Sequence, residues 1–314
     1  DLPRLCRSES AFLLLSTCIL QCSYAYANSD VLPGNGNVVY GDANISTPAI
    51  NSMQIHQSTD KAIINWDSFN IGKDQSVQFY VPNSASSTLN RVIGGNASEI
   101  LGNLSSNGQL WLLNANGILF GQGAQVNTTG LMASTLNISD SNFLNNDYHF
   151  TQGNNDPAKI TNMGSINADE GYVSFLAPQI ENTGIISAKL GTVALGAGTE
   201  ASVQLAGNRL LSFAVNKGAE VPMYDTNGKA VAAIDHSGEI HAEGGRVLMT
   251  AQSVNSLLDQ SINLTGVVKA NSVQEKNGDI ILLGIGSTVL NNAKLEAAGK
   301  NTGEKGGKVE VIGK

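Results

Sequence analysis

The chain is poor in cysteine, in aromatic rings and in clustered positive charge. Of its 314 residues only Cys6, Cys18 and Cys22 are cysteines, all within the first 27. The remainder can hold no disulfide, which keeps it threadable through a narrow pore. Aromatics amount to 5% while glycine reaches 34 residues. With abundant Asn, Ser and Thr, that balance suits many short strands joined by tight turns. The net charge is −8, and no basic cluster is present. This argues against nucleic acid, whose binding rests on Lys and Arg neutralising phosphates, and against electrostatic adhesion to anionic membrane. Long apolar runs are also missing. The one candidate, residues 11–20, is shorter than the roughly 20 residues that span a bilayer.

That short run has another reading. Arg4 and Arg7 precede it, and Ser23-Tyr24-Ala25-Tyr26-Ala27 follows. Small residues at Ala25 and Ala27 suit a signal peptidase, so residues 1–27 read as a signal peptide cleaved after Ala27. Gln21 and Thr17 before Cys22 and Cys18 fit a lipoprotein site poorly.

What is abundant is repetition. Asn162-Met163-Gly164-Ser165-Ile166-Asn167-Ala168 returns as Asn182-Thr183-Gly184-Ile185-Ile186-Ser187-Ala188, 20 residues on. Seven residues after each glycine comes a second element, Gly171-Tyr172-Val173-Ser174-Phe175-Leu176-Ala177 and then Gly191-Thr192-Val193-Ala194-Leu195-Gly196-Ala197. The pair recurs at Ser237-Gly238-Glu239-Ile240-His241-Ala242 with Gly245-Arg246-Val247, and more loosely to Gly313. Each half alternates apolar and variable positions, as a strand with one buried face does. A two-strand unit of about 20 residues cannot bury its face alone, so copies must stack. The reading is all-β: a parallel β-helix of roughly ten to fourteen coils, spaced about 4.8 Å apart. Residues 31–60 are expected to cap the first coil, since an open solenoid end exposes unpaired backbone. Residues 140–157 and 216–236 break the repeat and read as extra-helical hairpins or loops. The second of them contains Asp225-Thr226-Asn227-Gly228, a hairpin signal. The repeat runs to Gly313 with no closing element, so the chain is expected to be an N-terminal portion of a longer polypeptide.

Ahead of the repeats lies a sharper motif. Gln109-Leu110-Trp111-Leu112-Leu113 runs into Asn114-Ala115-Asn116-Gly117-Ile118-Leu119-Phe120-Gly121, with Asn127-Thr128-Thr129-Gly130 beyond. Asn and Gly tolerate left-handed backbone, so the segment reads as a tight turn in which Asn116 takes positive φ. Upstream stand Ile64-Asn65-Trp66-Asp67-Ser68-Phe69-Asn70-Ile71-Gly72, Val77-Gln78-Phe79, Leu89-Asn90-Arg91-Val92 and Ile100-Leu101-Gly102, and downstream Gly130-Leu131-Met132-Ala133-Ser134-Thr135-Leu136. In that order and spacing, over about residues 30–145, the chain resembles the two-partner secretion domain of filamentous-haemagglutinin-like and high-molecular-weight-adhesin-like exoproteins. Ala115 stands where that family usually has proline, and no Asn-Pro-Asn-Leu occurs.

The resemblance implies a right-handed β-helix, with residues 28–145 as the core secretion domain and 146–314 as continuing coils. It implies Sec-dependent export and recognition of the extended segment 28–250 by a dedicated outer-membrane transporter, an Omp85-type barrel with periplasmic POTRA domains. Folding would follow outside a Gram-negative cell. Asn114, Asn116, Gly117 and Ile118, then Asn90 and Arg91, would carry recognition and coil nucleation. The passenger would be a secreted or surface adhesin acting on a host-cell receptor. A cytolysin, a contact-dependent toxin or a haem-acquisition protein are the alternatives.

Nothing in the pattern calls for catalysis, a cofactor or a metal. Asp235, Glu239, His241 and Glu243 read as one strand's solvated outward face rather than as converging ligands. A β-helix lyase or hydrolase needs carboxylates on adjacent coils, and Asp169, Glu170 and Glu181 do not match the 20-residue spacing. A carbohydrate-active enzyme and a purely structural surface protein remain the readings from other classes. Trp66, Trp111, Phe69, Phe79 and Phe120 read as core. The amides of Asn114 and Asn116 are expected to stack on neighbouring coils, and Arg91 to fork onto stacked carbonyls.

Overall fold

The computed structural model describes residues 31–153, 158–219, 230–252, 261–274, 276–285 and 288–313. Ala25, Ala27 and the turn at 225–228 lie outside the described residues.

Each coil has three strands, one more than the sequence repeat suggests. In one coil these are Lys159–Asn162, Ser165–Asn167 and Tyr172–Ala177; in the next, Gln179–Asn182, Ile185–Ser187 and Thr192–Ala197. They pair in parallel with Ile160 against Ile180, Ile166 against Ile186 and Val173 against Val193. The 20-residue period is therefore exact there, and every inward apolar side chain sits on its counterpart one coil away. The third strand went unread because it offers only one inward apolar residue (Ile160, Ile180) beside the corner asparagine. Stacking builds a broad sheet and a polar-faced sheet of ten strands each and a short sheet of seven. One broad-sheet strand is antiparallel, so the described solenoid has nine levels, fewer than expected, because the excursions take up more chain.

The cap is present at the N-terminus. Asn37–Tyr40 lies antiparallel on Lys61–Trp66, and Ala43–Ala49 antiparallel on Ser52–Gln57. Ser52–Gln57 already belongs to the first coil, being parallel to Ser76–Tyr80, so the cap is shorter than residues 31–60. Of the excursion expected as a hairpin or loop at residues 140–157, the described part, 140–153, forms no hairpin of its own. It gives a five-residue helix α1, Asp140–Leu144, and the strand Tyr148–Thr151. That strand pairs with Glu200–Ala206, which turns back into Arg209–Lys217. The resulting three-stranded flanking sheet explains why the middle broad-sheet strands are buried on both faces.

Two packed regions result. Inside the solenoid, Trp66, Phe69, Phe79, Phe120, Phe175 and the stacked Ile, Val and Leu residues form the main core. Outside, between broad and flanking sheets, Trp111 meets Phe143, Tyr148 and Phe150 at ring-centroid distances of 5.1, 4.9 and 5.8 Å. The five aromatics expected in the core are all buried, with Trp111 in the outer region.

Corners bring backbones close together. A Cβ on Gly245 would lie 2.0 Å from the carbonyl oxygen of Gly191, and one on Gly238 would lie 2.1 Å from that of Gly184. These are the glycines that anchor the sequence repeat. At one short-sheet corner Asn162 Nδ2 donates to Asn182 Oδ1 (2.7 Å), and Asn182 Nδ2 donates to His236 Nδ1 (2.9 Å). His236 Nε2–H then donates to the Val267 carbonyl (3.3 Å). This is the amide ladder of the solenoid, and His236 ends it.

Gly245→Ala should lower stability by about 1–3 kcal/mol from overpacking against backbone. Gly95→Ala, which meets nothing within 4 Å, should be near neutral; urea midpoints compare them. A second expectation concerns pH. Burial pushes the His236 pKa from 6.5 down to about 4, so the native state binds fewer protons than the unfolded chain between those values. Stability from the neutral ring is then complete above about pH 6.5 and lost as pH falls through 4, by about 3 kcal/mol. His236→Asn, which keeps the amide ladder, should flatten that stretch of the stability-versus-pH curve.

Candidate functional site

The turn after Gln109–Leu113 is a corner pinned by two asparagines. Asn114 is buried, and its Nδ2 donates to the Asn96 carbonyl and to Ser98 Oγ, both at 3.0 Å, on the preceding coil. Its Oδ1 accepts from the Asn116 backbone N–H (2.9 Å) and from Asn116 Nδ2 (3.2 Å). Asn116 Nδ2 also reaches the Gly94 carbonyl at 2.8 Å. The turn closes through Gly117 N–H onto the Asn114 carbonyl (3.1 Å). The residue at positive φ is Gly117, at +118°, and Asn116 is not among those in that region. The expectation for Asn116 is corrected: it is needed for its amide, and glycine takes the strained step. The two amides bond to each other, and to the preceding coil they bond through backbone carbonyls and a serine hydroxyl rather than through a stack of amides. Ile118 is buried, its strand hydrogen-bonded between Ser98–Ile100 and Lys159–Asn162.

Asn90 and Arg91 are neighbours on Ser87–Val92, so they face opposite sides of the broad sheet. Asn90 is fully buried. Its Oδ1 accepts from Trp66 Nε1 at 3.0 Å, and its Nδ2 donates to the carbonyls of Thr88 and Trp111, each at 3.3 Å. It supplies the partner that a buried indole N–H requires. Arg91 points outward and uses all three nitrogens of its fork. Nε donates to Asn137 Oδ1 (3.1 Å), Nη1 to Asp140 Oδ1 (2.6 Å) and Nη2 to the Ile138 carbonyl (2.7 Å). These partners lie at the entry to α1 and not on stacked coil carbonyls, as the sequence suggested.

Lys61, one coil earlier, holds the other end of α1, donating to the carbonyls of Phe143 and Leu144 and to Asn146 Oδ1. Its ammonium also lies 4.8 Å from the Phe143 ring centroid. Burial there lowers its pKa from the ordinary lysine value. Beneath, Trp111 Nε1 donates to Tyr172 Oη (2.9 Å), Tyr172 to Gln109 Oε1 (2.9 Å), and Gln109 Nε2 to the Ala85 and Gly207 carbonyls. Full burial raises the Tyr172 pKa far above that of free tyrosine, so it stays a donor. None of Lys61, Gln109 and Tyr172 was singled out from the sequence. The only available signal was a polar residue amid an apolar strand run.

Asp169, Glu170 and Glu243 line one cleft of about 600 Å³ together with Lys189 and Lys300, whereas the other acidic residues singled out lie apart. Asp169 Oδ1 accepts from Ser187 Oγ (3.2 Å) and the Lys189 N–H (3.0 Å), and Glu181 pairs with Lys159 at 3.2 Å. Asp235 sits on the short sheet, whereas Glu239 and His241 share a polar-faced strand and bond at 2.8 Å. The four residues expected to share one face are thus divided between two. Among the described residues no group of three His, Cys, Asp or Glu side chains is placed to hold a metal. A cleft of about 210 Å³ lies beside the corner, lined by Arg91, Val92, Leu113, Ala115, Thr135 and Leu136 among others; it contains no carboxylate.

A capped parallel β-helix with an amide-pinned corner and an external flanking sheet defines the class as a β-solenoid domain. The TPS secretion domain family matches residues 29–310, and the chain belongs to it. Two heme/hemopexin-binding proteins of Haemophilus influenzae are similar in sequence. One is 29% identical over 87% of this chain, and the other, from strain Rd, is 32% identical over 82%. The chain spans 30% and 28% of their lengths, respectively. The crystal structure of the HMW1 secretion domain from Haemophilus influenzae superposes with a TM-score of 0.67. That match has 29% identity and covers 90% of this chain and 74% of that one.

Arg91→Gln should cost about 1–3 kcal/mol, because charge-assisted bonds to α1 and its entry are lost. Faster amide hydrogen exchange confined to 137–151 is the expected readout, with coil amides unchanged.

Proposed function

We propose that this domain directs a large exoprotein through a dedicated outer-membrane β-barrel, which recognises it before it folds. The family match over residues 29–310 carries this reading. The burial of the motif supports the order of events. Asn114 and Asn90 are 1% and 0% exposed in the folded solenoid, so a transporter can read their side chains only on unfolded chain. Each of their hydrogen bonds to another coil forms as coils stack, and the stack resists re-threading. Recognition by strand addition to periplasmic POTRA domains of an Omp85-type transporter suits an extended segment, since main-chain hydrogen bonds supply affinity. Asn114, Asn116, Gly117 and Ile118 pin the corner, while Asn90 and Arg91 fix the two faces of the strand one level earlier. The product acts at the cell surface or in the medium of a Gram-negative bacterium.

For the passenger, the two curated relatives favour a haem-acquisition protein over the adhesin that the sequence suggested, because both are heme/hemopexin-binding proteins. Retention of the full-length exoprotein on haem–agarose or immobilised hemopexin would support it, and attachment to host cells without haem binding would restore the adhesin.

The decisive experiment is export of this chain, behind a complete signal peptide, with and without its transporter. The expected result is appearance in the medium only with the barrel, reduced severalfold by Asn114→Leu. Equal release without the barrel would sink the reading.

A further inference from the structure

The outward face of the polar-faced sheet changes character along the solenoid. From Ser52–Gln57 to Ile185–Ser187 its central column is Gln54, Gln78, Ser105, Asn127, Asn167 and Ser187, each in register with the next. The column beside it runs from Ser52 through Asn103 and Gln125 to Ser165, and ends at Ile185. Neither column contains Asp, Glu, Lys or Arg, in a chain whose net charge is −8, and Asp169, which accepts from Ser187, borders the strip at its far end. Beyond Ser187 the same columns turn to charge, with Glu239 bonded to His241 and Lys294 paired with Glu296. Gln78, Gln125, Asn127 and Asn167 make no side-chain hydrogen bond among the described residues. At the cap end the His56 and Tyr80 rings stack, 4.5 Å apart and 11° from parallel.

We propose that this charge-free strip binds an extended neutral glycan. Amide and hydroxyl side chains donate and accept at once, which matches sugar hydroxyls, and strand spacing sets them in rows over about 24 Å. The Tyr80 ring, backed by His56, offers a flat apolar platform for a pyranose face at one end of the strip. The surface suits other partners poorly. It has no cations for a sulfated or phosphorylated polymer, and no cluster of buried-capable aromatic or aliphatic anchors for a protein.

Calorimetric titration of the full chain with cellohexaose and chitohexaose, with heparin as the charged control, tests this. Saturable binding of at least one neutral hexasaccharide is expected, weakened about tenfold by Tyr80→Ala and by Gln125→Asp. Both positions are on the surface, and circular dichroism verifies that the variants fold. Three results would overturn the proposal: no neutral sugar bound, heparin bound in preference, or binding indifferent to both substitutions. Self-association that Gln125→Asp abolishes, without sugar binding, would assign the face to a second copy instead.

Discussion

Register between successive coils is the constraint on which the rest depends. A coil of this solenoid has too little apolar surface to fold alone, so each inward side chain is stabilised mainly by its counterparts one coil above and below. Ile180 lies between Ile160 and Ile234, and Val193 between Val173 and Val247. A one-residue slip in any strand would turn its apolar set outward and leave the corner glycines facing side chains. The close contact of Gly245 with Gly191 is therefore a register lock as well as a turn device. Insertions are tolerated only where they leave the coil entirely, as the flanking sheet between Thr192–Ala197 and Ile234–His236 does.

The flanking sheet has a further consequence. Broad-sheet strands carry apolar residues on both faces, so the outer face needs a cover. Trp111, Met132, Tyr172 and Leu176 obtain it from Phe143, Tyr148, Phe150 and the hairpin that includes Val203 and Leu210. Arg91 and Lys61 fasten α1 at its two ends, and adjacent Asn90 satisfies Trp66 on the other side of the same sheet. One strand thus links the inner core, the outer core and the excursion. This gives Asn90 and Arg91 a structural role separate from any role in export.

Much of this was legible in advance. The 20-residue period, the glycine pairs and the apolar alternation led to a stacked solenoid, and the aromatics were rightly placed in the interior. The corner at residues 114–117 was recognisable as a turn, yet its mechanism was not. Sequence shows that Asn and Gly tolerate left-handed backbone; it does not show that Gly117 takes that role while Asn114 reaches back to Asn96 and Ser98. The third strand was missed because a single inward residue per coil gives no alternation to detect. The amide ladder is present in the repeat as Asn162, Asn182 and His236, all preceding a glycine by two positions, but the spacing alone does not show that these side chains are buried and bonded to one another.

By itself, then, the sequence determined the architecture: repeats of fixed length, short of cysteine and with one apolar face, have no way to bury that face except by stacking. Tertiary structure alone decided which polar groups are structural and which are free. Asn90, Asn114, Tyr172 and His236 are buried and bonded, whereas Gln78 and Asn127 are exposed on a charge-free face. Their side chains carry similar hydrogen-bonding groups, and only the coil above, the coil below and the cover outside distinguish them.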